Sequence, residues 1–72
     1  MKKVFKLMDL DCANCAAKME NAIARLPGVD HVVVNFMTQK LTLEAADADF
    51  DRILDEVEKT MRKVEPDCTL VR

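Results

Sequence analysis

At 72 residues, with 50% hydrophobic and 33% charged side chains, one Gly and two Pro, the chain has the make-up of a single small globular unit spanning 1–72, not that of a disordered tail. A net charge of −2 leaves no basic stripe, and three Phe without Trp or Tyr offer little to stack on bases, which argues against nucleic acid as a partner. No apolar run approaches the ~20 residues that span a bilayer, and Met1-Lys2-Lys3 leads into no apolar signal core, so a cytosolic domain without membrane insertion is expected.

In chain order, Val4-Phe5-Lys6-Leu7-Met8 alternates with Phe5 and Leu7 on one side and Lys6 on the other, the pattern of a half-buried strand. That strand runs into Asp9-Leu10-Asp11-Cys12-Ala13-Asn14-Cys15. From Asn14 the period changes: Ala16, Met19, Ile23 and Leu26 fall at helical spacing, and Pro27-Gly28 stops the run, predicting a helix of about three turns. Val29 to Phe36 is β-branched and apolar, with Val32, Val34 and Phe36 on one face. Leu41, Leu43 and Ala45 repeat the alternation after the polar break Thr38-Gln39-Lys40. A hairpin is expected, although its turn lacks the usual Asn-Gly or Gly. Phe50, Ile53, Leu54, Val57, Met61 and Val64 then form the strongest helical stripe, with Asp47 and Asp49 as cap candidates. Glu65-Pro66-Asp67 breaks this helix, and Cys68-Thr69-Leu70-Val71 reads as a short last strand. The order βαββαβ predicts an α+β, ferredoxin-like fold, a four-stranded antiparallel sheet with two helices on one face.

Reactive chemistry is concentrated in the loop between the first strand and the first helix. Cys12 and Cys15 converge on one centre if Cys15 lies in the first helical turn, where free N–H groups and the macrodipole favour thiolates. Three cysteines, two of them paired closely, fit metal or redox use in a reducing compartment better than a disulfide scaffold. With no second Cys or His pair to close a four-ligand structural site, an open site for capture and release is expected. Thiol–disulfide exchange, with Cys12 attacking and Cys15 resolving, is the competing reading from another class. An interaction domain with incidental thiols is a third.

Leu10-Asp11-Cys12-Ala13-Asn14-Cys15, the helix to Leu26-Pro27-Gly28-Val29, then Val32, Val34-Asn35-Phe36 and Lys40-Leu41 together resemble a heavy-metal-associated domain over nearly the whole chain. The resemblance implies metal at the two cysteines and its transfer to a partner by ligand exchange. The family includes metallochaperones and the N-terminal cytosolic domains of metal-transporting P-type ATPases. It therefore implies a non-enzymatic, monomeric module whose partner is the membrane-embedded transport domain or another metal-binding domain. Copper members typically carry Met-Thr-Cys-x-x-Cys, whereas zinc, cadmium and lead exporters often carry Asp-Cys-x-x-Cys, and Asp11 occupies that discriminating position. The physics agrees, because Cu(I) is satisfied by two thiolates while Zn(II) wants four ligands and accepts carboxylate oxygen. The expected cargo is Zn(II), with Cd(II) or Pb(II) next and Cu(I) as the alternative.

The expected ligands are Cys12, Cys15 and Asp11, with Glu65 and Asp67 as candidates for a further one. Each carboxylate has a plainer competing role: Asp11 as a helix N-cap, Glu65 and Asp67 as a polar turn around Pro66. Asp9 stands where the family usually has Gly, and Leu10 where it usually has Met. Cys68 reads as a packed strand residue, His31 as a surface residue at the far end of the sheet, and Met19 and Met61 as core.

Overall fold

A computed structural model describes all residues from Met1 to Arg72. Strand β1 (Lys2–Met8) turns Phe5 and Leu7 inward and leaves Val4, Lys6 and Met8 outside, the period-two burial expected of a sheet covered on one face. Helix α1 (Ala13–Ala24) buries Ala16, Met19 and Ile23. It ends before Leu26 because the last turn tightens, with Arg25 N–H donating to the Ala22 carbonyl at 3.3 Å and Leu26 N–H to that of Ile23 at 3.0 Å. Gly28 follows at φ 91°, a left-handed backbone that calls for glycine, and a Cβ there would stand 2.8 Å from Cδ1 of Ile53 and push that methyl aside.

Strand β2 (Val29–Asn35) and strand β3 (Lys40–Ala45) form the expected hairpin, with a register irregularity between Val29 and His31. In its turn the positive φ that a glycine usually supplies is taken by Gln39 at 56°, while Asn35 Oδ1 accepts the Thr38 N–H at 3.1 Å. A short 3₁₀ turn, Asp47–Asp49, leads into helix α2 (Phe50–Val64), whose stripe buries Phe50, Ile53, Leu54, Val57 and Met61, with Val64 half-buried. The last strand, β4, is Thr69–Val71; Cys68 precedes it rather than opening it.

The strands order as β2-β3-β1-β4, and every paired neighbour is antiparallel. With two helices on this sheet the fold is ferredoxin-like. The core is wholly apolar, centred on Leu7, Met19, Ile23, Leu41, Leu43, Ile53, Val57 and Met61, and the rings of Phe5 and Phe50 stack at 6.3 Å. Edge strand β2 is partly covered, since Glu20 of α1 accepts the Val34 N–H at 2.8 Å.

This topology decides where the chemistry gathers. Strand β1 lies between β3 and β4, both running against it, with Lys6 opposite Lys40 and Met8 opposite Thr69. The exit of β1, the β2–β3 turn and the α2–β4 loop therefore meet at one end of the sheet. His31, near the start of β2, is exposed at the other end. No helix is long and apolar enough to cross a membrane.

Candidate metal centre

The loop that carries the two cysteines is shaped by three residues before it reaches them. Asp9 adopts φ 63°, a left-handed conformation that Asp tolerates better than most residues. Leu10 then turns inward and is buried at 3% exposure, anchoring the loop to the core. Asp11 is exposed, and Cys12, extended at φ −144° and ψ 124°, is the N-cap of α1.

Cys12 is half-buried, and its carbonyl accepts the Ala16 N–H at 3.1 Å. Cys15 sits in the first turn, also half-buried and packed against the core. The expectation of one thiol in the loop and the other in the first turn is met.

The two thiols face each other. The Cys15 thiol, followed by the backbone amides of Cys15 and Asn14, lowers the pKa of Cys12, with burial and the charge of Asp11 opposing. Cys15 is pushed up to about 12, first by its hydrogen bond to Glu65 and then by its bond to Cys12. Cys12 is therefore the more acidic of the two thiols and Cys15 the one that gives up its proton later. A lower pKa means more thiolate at any given pH. In the metal-free protein near neutral pH we expect iodoacetamide to modify Cys12 before Cys15, and Cys68 last, as read by mass spectrometry of peptides over time. Equal rates for Cys12 and Cys15 would contradict this order of acidity.

Glu65 joins the site from the α2–β4 loop. It is half-buried and is the group that most raises the pKa of the Cys15 thiol. Asp67 is exposed. Asp11 does not cap α1: the cap position belongs to Cys12 and has no side-chain cap bond, and Asp11 acts on Cys12 through charge alone. No three His, Cys, Asp or Glu side chains stand close enough to enclose a metal ion; Cys12 acts on the acidity of Cys15, and Glu65 acts on it more strongly. Cys68 is buried in the core at 4% exposure, and burial raises its pKa, as expected of a packed thiol. A cavity of about 200 Å³ lined by Glu58, Met61, Pro66, Cys68 and Leu70 lies along α2 and β4, with neither Cys12 nor Cys15 in its wall.

One residue at this end escaped the sequence reading. Gln39, in sequence one member of a polar break, reaches from the β2–β3 turn to the loop: its Oε1 accepts the Leu10 N–H at 3.1 Å and its Nε2 donates to the Leu10 carbonyl. A hairpin turn without glycine signals that some residue must take positive φ, but nothing local shows that its side chain crosses to Leu10.

An apolar-cored ferredoxin-like fold presenting a paired-thiol loop at one sheet end defines a class of small metal-binding modules. The heavy-metal-associated domain model matches residues 4–65, and the chain belongs to that family. It is 46% identical over 59 residues, 82% of its length, to a zinc/cadmium/lead-transporting P-type ATPase of Escherichia coli (strain K12). It is 33% identical over 70 residues, 97% of its length, to a cadmium, zinc and cobalt-transporting ATPase of Bacillus subtilis (strain 168). The chain spans only 8% and 10% of those two proteins. Among solved structures, the N-terminal domain of ZntA in its Zn(II) form superposes with a TM-score of 0.75 at 34% identity, covering 97% of this chain and 88% of that one. The chain is thus a metal-binding module homologous to the N-terminal domains of zinc, cadmium and lead P-type ATPases.

Proposed function

We propose that this domain binds Zn(II), with Cd(II) and Pb(II) as further cargo, through Cys12, Cys15 and Asp11 on the cytoplasmic side of a metal-exporting P-type ATPase. There it regulates pumping or delivers metal to the membrane-embedded transport domain. The carrying observation is that Asp11, directly before Cys12, is exposed and released from helix capping, so its oxygens are free for an ion held by the thiols. Glu65, the group with the strongest influence on the Cys15 thiol, is the foremost candidate for a fourth ligand, ahead of Asp67 or water. The names of the relatives, zinc/cadmium/lead-transporting and cadmium, zinc and cobalt-transporting, support the same group of ions.

The chemistry follows from the two unlike thiols. Cys12 offers a thiolate first, and Cys15 must lose its proton to complete the pair, so affinity rises with pH. Because the ligands lie at a loop-to-helix junction where Asp11 is exposed and both thiols are only half-buried, an incoming partner thiolate can replace them one at a time, which suits transfer.

A Cu(I) role is the second reading, favoured by one observation: no three His, Cys, Asp or Glu side chains are gathered closely enough to hold an ion, and two thiolates suffice for Cu(I). Titration of the parent chain and Asp11→Ala with Zn(II), beside competition against a Cu(I) chelator under reducing conditions, separates the two. Loss of an outer-shell partner typically costs about 10–100-fold in metal affinity, so loss of a direct ligand should weaken Zn(II) binding at least about tenfold. Cu(I) affinity should hold. If Asp11→Ala leaves Zn(II) affinity intact, Asp11 is not a ligand.

A further inference from the structure

We propose that Gln39 is a positioning residue for the metal loop: its side-chain amide takes the place of a neighbouring strand and holds Leu10, and through it Cys12. The proposal rests on the assignment of Cys12 and Cys15 as the metal site.

The backbone ladder between β1 and β3 stops at Lys6 opposite Lys40. One further bond follows, from the Leu7 N–H to the Gln39 carbonyl at 2.7 Å, and the hairpin then turns away. Leu10 would have no strand beside it on this side. The Gln39 side chain supplies one. A primary amide presents the same C=O and N–H pair as a peptide, and here the Oε1 accepts the Leu10 N–H at 3.1 Å while the Nε2 donates to the Leu10 carbonyl.

The second Nε2 hydrogen goes to the Phe36 carbonyl at 3.0 Å. These three bonds also fix which end of the amide is which, since the reverse orientation would set an oxygen against two carbonyls and a nitrogen against an N–H.

The backbone at this position does not ask for glutamine. At φ 56° a glycine would complete the turn without the steric cost that a side chain carries in the left-handed region. What a glycine could not do is reach Leu10. With Leu10 held on its backbone by Gln39 and on its side chain by the core, only Asp11 and Cys12 lie between a fixed point and the start of α1 at Ala13. The Cys12 sulfur is thereby kept beside Cys15. Without the clamp the loop spends less time with both thiols presented together, and apparent affinity falls by that fraction.

Gln39→Gly tests this, because it fits the backbone and removes only the reach. In the metal-free, reduced protein we expect Gln39→Gly to keep or raise the thermal midpoint, to speed amide hydrogen exchange at Leu10, and to increase backbone mobility from Asp11 to Cys15 in ¹⁵N relaxation. With Zn(II) as the probe, its affinity should fall about tenfold, the low end of what outer-shell partners contribute. Gln39→Glu, which retains an acceptor for the Leu10 N–H but sets an oxygen against two carbonyls, should protect the Leu10 amide and still lose Zn(II) affinity. A merely structural role would move the midpoint and the affinity together. Unchanged Leu10 exchange and loop order in Gln39→Gly would overturn the proposal, as would faster exchange with unaltered Zn(II) affinity. If the parent chain takes up no Zn(II), the metal reading falls by itself, and the metal-free relaxation data still decide whether Gln39 orders the loop.

Discussion

Replacing Cys12 and Cys15 together by Ser is expected to abolish stoichiometric Zn(II) binding while leaving the fold in place. A structural zinc site is worth roughly 10–16 kcal/mol at neutral pH. If two thiolates carry about half of that, the loss is about 5 kcal/mol or more, beyond three orders of magnitude in affinity. The fold should survive, because both thiols are only half-buried and neither belongs to the fully buried core. Isothermal titration of reduced protein, beside far-ultraviolet circular dichroism of the same samples, provides the check. Cys68→Ala serves as the control: that thiol is in the core, so its loss should lower stability and leave affinity alone. Parent-like Zn(II) affinity in the double variant would remove these cysteines from the site. Disulfide-reductase turnover by a parent chain that binds no metal would instead favour the thiol–disulfide reading.

The second large effect belongs to the core beneath the site. Met19 lies one turn after Cys15 on α1 and is fully buried. Met19→Ala should cost about 2–5 kcal/mol, through lost transfer energy and the cavity left behind. Domains of this length have roughly 0.05–0.15 kcal/mol of stability per residue, so that loss is a large share of the total. The thermal midpoint of the metal-free protein should fall by about 8 °C or more. Met19→Leu, which nearly conserves volume, should cost less than about 1.5 kcal/mol and leave metal affinity unaltered. A shift of only a degree or two for Met19→Ala would mean that Met19 is not core, and lost metal affinity in Met19→Leu would mark it as a ligand.

Much of this architecture is legible in spacing alone. Phe5 and Leu7 alternate with Val4, Lys6 and Met8 in the sequence as in the structure, and the stripe from Phe50 to Met61 is the buried face of α2. The elements that shifted did so at their ends. Cys68 sits outside β4, and Leu26 outside α1, because strand and helix limits depend on which partners complete the hydrogen bonds there, as the tightened bonds of Arg25 and Leu26 show. The capping role open to Asp11 went to Cys12, a difference of one residue that the pattern around a helix start does not resolve. Asp9 and Gln39 take left-handed conformations that neither residue type announces.

By itself the sequence determined the order of strands and helices, the face each one buries, the family, and the placing of two thiols at a helix start. Each of these follows from residues near one another in the chain, because the periods of strand and helix convert local spacing into burial. Only the tertiary structure decided that Glu65, and not Asp67, would act on the Cys15 thiol, and that Gln39 would grip Leu10. Those contacts arise because the sheet order β2-β3-β1-β4 sets β1 between two antiparallel strands and gathers three loops at one end, a long-range arrangement that local periodicity does not encode.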